Sequence, residues 1–112
     1  DHVAVAITVE NAAANGETER IHAVLANGFG EDELRGRARF DLIVANILSG
    51  PLTKLAKPLA AALAPGGIAV LSGLMRDEEA AILGAYARAR LKKRRVIRDG
   101  PWSALILRKP KK

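Results

Sequence analysis

The sequence contains no cysteine. That excludes disulfide staples, thiol nucleophiles and cysteine-ligated zinc. Aromatic side chains are scarce: one Trp, one Tyr and two Phe make up 4% of 112 residues. None interleaves with the basic clusters, as base-stacking platforms would require. No run of about 20 uninterrupted apolar residues occurs, so no transmembrane helix and no membrane partner are expected. The first residues show no charged-then-apolar leader with a small-residue cleavage site. His2 and His22 have no metal-ligand spacing with each other or with a carboxylate, so no metal site is expected. Acids are also in deficit, 12 against 18 Lys and Arg, for a formal charge of +6. Together these absences predict a cytoplasmic protein.

What is present is an aliphatic α/β composition. Hydrophobic residues make up 49% of the chain, dominated by Ala, Leu, Val and Ile. The length suits one small domain. The positive charge is concentrated. Lys92, Lys93, Arg94, Arg95 and Arg98 form one cluster; Arg108, Lys109, Lys111 and Lys112 form another. Two readings remain open: a solvated strand face with a frayed tail, or an electrostatic footprint for RNA or a ribonucleoprotein.

Periodicity predicts the elements in order. Val3, Ala6, Ile7 and Ala13 can share a helix face over residues 2–15, with Asn15-Gly16 as a stop. Residues 21–25 read as a short strand and 26–39 as a loop. Residues 40–45 are apolar without alternation, the mark of a strand buried on both faces. Leu52, Leu55, Leu59 and Leu63 give a helical stripe over 51–64. Pro51 is harmless in its first turn, whereas Pro58 should kink it. Pro65-Gly66-Gly67 reads as a turn and 68–74 as a second buried strand. Asp77 is a candidate cap for a helix to about residue 90. Glu78 and Glu79, in its first turn, are stabilising there and receive no catalytic role. Residues 91–98 and 102–108 flank Asp99-Gly100-Pro101 and predict an antiparallel hairpin, with Trp102 packed in it. Alternating helices and buried strands are the α/β doubly wound signature.

The densest signal is Phe40-Asp41-Leu42-Ile43-Val44-Ala45-Asn46-Ile47-Leu48-Ser49-Gly50-Pro51-Leu52. A single amide ends a buried strand, which is where open α/β sheets bind ligands. Asn46 can also simply cap the strand end or the next helix. Asn27-Gly28 is a common turn pair, and Phe29 can anchor its loop.

The stretch from Phe40 to Gly73 resembles the bacterial PrmA family of ribosomal protein methyltransferases. The resemblance rests on Asp41 to Leu48, Gly50-Pro51-Leu52, Leu63, Pro65-Gly66-Gly67 and Leu71-Ser72-Gly73-Leu74. Glu10-Asn11-Ala12 with Asn15-Gly16, and Trp102 with Leu105-Ile106-Leu107, extend it over nearly the whole chain. It implies a Rossmann-like class I methyltransferase fold that uses S-adenosylmethionine. The implied reaction methylates lysine or α-amino groups of a large-subunit ribosomal protein, which would be the partner. Positioning an unprotonated amine would supply much of the rate. The resemblance gives Asn46 the role of orienting that amine beside the sulfonium, with help from the backbone carbonyls of Ala45 and Ile47. Ile47 and Leu48 would line the substrate path. Asn27, Gly28 and Phe29 would meet the adenine, although an Asp is commoner at the first of these positions.

Three family elements are not found: a glycine-rich loop after a first strand, an acid for the ribose hydroxyls, and an N-terminal docking domain. Residues 1–112 therefore read as the C-terminal part of a catalytic domain, lacking the first two strands and ending in an antiparallel hairpin. In the implied strand order 3-2-1-4-5-7-6 the missing strands would lie beside residues 40–45. This predicts an open apolar edge there, self-association through it and poor order over 1–39. The fragment alone is expected to be inactive. The alternative is a non-catalytic basic module that binds ribosomal RNA or protein, with weak RNA contact through the basic C-terminal hairpin. A nicotinamide oxidoreductase is a third α/β reading, and the Asn46 to Pro51 run argues against it.

Overall fold

The computed structural model describes residues 4–10, 20–26 and 39–111. Six strands form one mixed sheet: β1 (Ala4–Glu10), β2 (Arg20–Ala26), β3 (Phe40–Asn46), β4 (Leu63–Met75), β5 (Lys92–Asp99) and β6 (Trp102–Arg108). Their spatial order is β1-β2-β3-β4-β6-β5. Strands β2, β3 and β4 run parallel, β6 is antiparallel to β4, and β5–β6 is the predicted hairpin. Among the described residues three helices lie between strands: α1 (Ser49–Lys54), α2 (Ala56–Ala62) and α3 (Glu79–Arg88). They touch one another and so share one face of the sheet.

The core sits between that face and the helices. Ile43, Ala45, Leu71, Leu105 and Leu107 face inward from the strands, and Leu52, Leu55, Leu59, Ile82 and Tyr86 from the helices. Each fully buried Leu contributes roughly 1.5–3 kcal/mol, so the Leu52-Leu55-Leu59-Leu63 stripe fixes the helices to the sheet. On the other face, Val44, Val70 and Ile106 are only half-buried, and no described helix covers them.

The expected kink at Pro58 is present as a break. Pro58 has no N–H to donate to Lys54, and the helix divides at Leu55 into α1 and α2. The break leaves the Leu52 carbonyl accessible, and the buried Tyr86 hydroxyl donates to it at 2.7 Å. Burial pushes the Tyr86 phenol up, so it remains a donor.

Several expectations are corrected. Residues 4–10 form a strand and not part of a helix over 2–15. Val5, Ile7, Thr8 and Val9 are β-branched and suit a strand, and pairing with β2 satisfies backbone groups along its outer side. The predicted open edge at residues 40–45 is also overturned. Strand β2 pairs directly with β3, from His22 opposite Leu42 to Ala26 opposite Asn46. That removes the edge on which self-association was based. Pro65-Gly66-Gly67 does not reverse the chain. It lies within β4, with Gly66 at φ +83°, a conformation that favours glycine. Its neighbours pair with the end of the chain: Gly66 N–H donates to the Lys109 carbonyl and Lys109 N–H to the Gly67 carbonyl, both at 2.9 Å. Asp77 does not cap α3. Instead Glu78 accepts from Met75 N–H at 2.7 Å across a short 3-10 turn.

The basic clusters divide as well. Arg98 makes a double contact with the buried Glu79, Nε to Oε2 at 3.0 Å and Nη2 to Oε1 at 2.7 Å, tying β5 to α3. Lys109 is no frayed tail: its Nζ donates to the Ala60 and Leu63 carbonyls, both at 2.9 Å. A cation there suits the C-terminal end of α2. Burial, with Arg39 nearby, lowers its pKa.

Candidate functional site

Asn46 is the last residue of β3, paired with Ala26 on one side and Ser72 on the other. The alternation that buries Ile43 and Ala45 turns Asn46 to the face that no described helix covers, where it is exposed. Beyond it the chain turns sharply. Ile47 N–H donates to the Ser72 carbonyl at 3.3 Å, and the Ile47 side chain is buried. Leu48 is 69% exposed. It is also the N-cap of α1, which has no side-chain cap. Asn46 therefore does not cap the following helix.

Its amide instead abuts β4. Gly73 has φ +84°, and a Cβ there would lie 2.8 Å from Asn46 Oδ1 and 3.2 Å from the Ile47 carbonyl oxygen. Only glycine combines that backbone angle with so close an approach. The amide oxygen is held against the adjacent strand while the residue remains open to solvent. A cavity of about 410 Å³ adjoins it. Asn46, Ser72 and Gly73 line one side, and Ile97, Asp99 and Trp102 of the hairpin line the other.

Of the residues singled out in the sequence, Asn46, Ile47 and Leu48 are brought together here. Ile47 reaches the site through its backbone only, because its side chain belongs to the core. Ala45 is buried within the ladder, paired with Leu25 and Leu71. Asn27, Gly28 and Phe29 lie outside the described residues, as does His2. Of the lining residues only Asn46 was recognised as a site residue in the sequence; Gly73, Asp99 and Trp102 are among those it missed. Trp102 was expected to pack within the hairpin, yet it is 54% exposed. The only available signal was the direction of the hairpin, which returns its turn to the same end of the sheet as Asn46.

The family model for ribosomal protein L11 methyltransferase (PrmA) matches residues 1–110. The chain belongs to the PrmA family. A relative from Brucella suis named ribosomal protein L11 methyltransferase is 42% identical over 108 residues, covering 96% of this chain and 38% of its own length. One of the same name from Agrobacterium fabrum is 41% identical over 109 residues, 97% of this chain and 37% of its own. The chain thus spans well under half the length of these PrmA relatives. Among solved structures, the ribosomal protein L11 methylase of Lactobacillus delbrueckii subsp. bulgaricus superposes with a TM-score of 0.62 at 34% identity, over 67% of this chain and 40% of that one. A methyltransferase from Pyrococcus furiosus, at 21% identity and TM-score 0.54, shares the fold. The order β3-β4-β6-β5 agrees with the last four strands, 4-5-7-6, of the order expected for a truncated Rossmann-like methyltransferase.

PrmA membership implies a methyl donor. Neither strand-to-helix turn among the described residues, after β3 or after β4, is rich in glycine. The described residues therefore supply no glycine-rich cradle for a donor.

Proposed function

We propose that this chain supplies the acceptor side of an S-adenosylmethionine-dependent protein N-methyltransferase acting on amino groups of ribosomal protein L11. The observation that carries this reading is Asn46, an exposed amide that caps no helix, with its oxygen against Gly73 at a cavity mouth. An amide oxygen accepts an N–H. An amine that donates to Asn46 Oδ1 has its lone pair turned away from that oxygen, ready for attack on a methyl group presented from elsewhere. The gain is orientation, which can lower a barrier by several kcal/mol when the geometry is held.

The test is methyl transfer to ribosomal protein L11 by a protein carrying this chain. Asn46→Ala is expected to lower kcat by about 100-fold, in the range for loss of one positioned hydrogen-bonding group, with the fold unchanged by circular dichroism. Near-normal kcat would refute the role of Asn46. The chain alone is expected to show little calorimetric binding of S-adenosylmethionine.

A second reading, a basic module for ribosomal RNA, is favoured by the other end of the sheet. A cavity of about 400 Å³ there is lined by Lys57, Arg90, Lys109 and Lys111. Another of about 340 Å³ is lined by Arg94, Arg95 and Arg108. Among the described residues no carboxylate lines either. Arg90 has φ +70°, an uncommon angle for a residue with a side chain. RNA affinity that falls steeply with salt would support this reading, with a log–log slope of about −0.7 per phosphate contacted. Affinity independent of salt would count against it.

A further inference from the structure

We propose that Asp99 and Trp102 form a capture subsite for the ammonium end of a lysine side chain, handing it to Asn46. This rests on the reading of Asn46 as the amine-orienting residue.

Asp99 ends β5 and Trp102 begins β6, and the two are register partners across the Gly100-Pro101 turn. Gly100 has φ +59°, and the Pro101 carbonyl accepts from Arg76 N–H at 3.0 Å, so the turn is tied to the end of β4. The hairpin thus presents a carboxylate and an indole from a fixed support. Both line the cavity that Asn46, Ser72 and Gly73 close from the other side.

This combination suits one chemical class. A carboxylate favours a nearby cation, and the indole face attracts ammonium groups, methylated or not. The aliphatic stem of a lysine needs apolar surface. Four of the five large apolar side chains exposed among the described residues, Leu48, Met75, Ile97 and Trp102, surround this end. Met75 is the register partner of Trp102 on its other side. An acidic side chain would meet the Asp99 carboxylate, and an uncharged one would forgo the contact with it. A carboxylate, a ring, an apolar rim and an amide that accepts an N–H together describe a path for a lysine and not for a phosphate.

Trp102 is the only tryptophan in the chain, so intrinsic fluorescence reports on this subsite alone. The test titrates the whole chain with Nα-acetyl-lysine methylamide, and with the norleucine analogue that keeps the stem but lacks the ammonium. The lysine probe should change Trp102 emission saturably, and the norleucine probe should bind at least about threefold more weakly. Asp99→Asn should weaken the lysine probe by about fivefold, within the range for exposed ion pairs. Arg108→Gln, at the far end of the sheet, should leave binding unchanged. Raising salt on the unaltered chain should weaken the lysine probe and not the norleucine probe, which tests the charge without any variant. Equal binding of the two probes, or an unchanged affinity in Asp99→Asn, overturns the proposal. No methyl donor is present in this titration. Lysine binding by the chain, with no transfer to ribosomal protein L11 by a protein that carries it together with a donor site, refutes the enzymatic reading alone. Transfer by such a protein, with no discrimination between the probes by the chain, refutes this subsite alone.

Discussion

The two ends of the sheet have opposite chemistry. At the end holding Asn46, the cavity is lined by an amide, a serine, a carboxylate and an indole. At the other, seven lysines and arginines line two cavities. Both ends rest on β4, β5 and β6, which carry Ser72, Asp99 and Trp102 at one end and Ile68, Arg94, Arg95 and Arg108 at the other. On the two proposed readings, a lysine-bearing protein would favour the first end and a polyanion the second. A net charge of +6 conceals this polarity. The comparison also explains why the enzymatic and RNA-binding readings both arose: each describes a different end.

The largest expected effect that would sharpen the comparison comes from Gly73→Ala. The new Cβ would meet Asn46 Oδ1 at 2.8 Å on a backbone at φ +84°. Such strain costs about 1–3 kcal/mol, and relief requires Asn46 to move. A chemical-denaturation curve should show that loss. Methyl transfer should fall more than the stability change alone explains, while salt-dependent RNA affinity stays constant. Parallel loss of both activities would break the comparison.

Acid should act next, and at the Asn46 end. The Arg98 guanidinium holds the Glu79 carboxyl down to about 2, from a model-peptide value of 4.5. The buried Ser103 hydroxyl makes no hydrogen bond within normal geometry, yet it lies near enough to Glu79 to favour the anion. Because the folded state holds Glu79 ionised more strongly than the unfolded state, this contact stabilises fully above about pH 4.5. It is lost as pH falls toward 2. Thermal midpoints of the chain and of Arg98→Met should therefore differ at pH 7 and converge near pH 2. A constant difference across that range would show that the ion pair does not secure this end.

The smallest effect belongs to the cationic end. Helix α3 ends in a Schellman arrangement, with Leu91 N–H donating to the Tyr86 carbonyl at 3.0 Å and Arg90 N–H to that of Ala87 at 2.9 Å. Arg90 occupies the left-handed position that glycine usually takes. Arg90→Gly should stabilise the chain by about 1 kcal/mol and reduce RNA affinity slightly, leaving the lysine probe unaffected. A gain in stability with no change in RNA affinity would detach Arg90 from polyanion binding.

Much of the fold was legible locally. The strands at residues 40–46, 68–74 and 102–108 announce themselves as apolar runs, and the hairpin by its Asp99-Gly100-Pro101 turn, because the backbone requirements of buried strands and turns select those residues directly. Pro58 announced the helix break for the same kind of reason. Residues 4–10 differ from the expectation because the apolar Ala4, Val5, Ala6, Ile7 and Val9 satisfy both periods in so short a segment, and the available strand partner decides between them. Trp102 was misplaced because strand alternation does not reveal which face the helices will cover.

The sequence by itself determined the α/β class, the PrmA resemblance and the position of Asn46 at a strand end, since each follows from a contiguous segment. Only the tertiary structure decided that β2 pairs with β3, that Gly73 holds the Asn46 amide, and that Asp99 and Trp102 join it from more than 50 residues away. Those contacts depend on register and strand order, which arise when distant segments bury a common face and which no local pattern encodes.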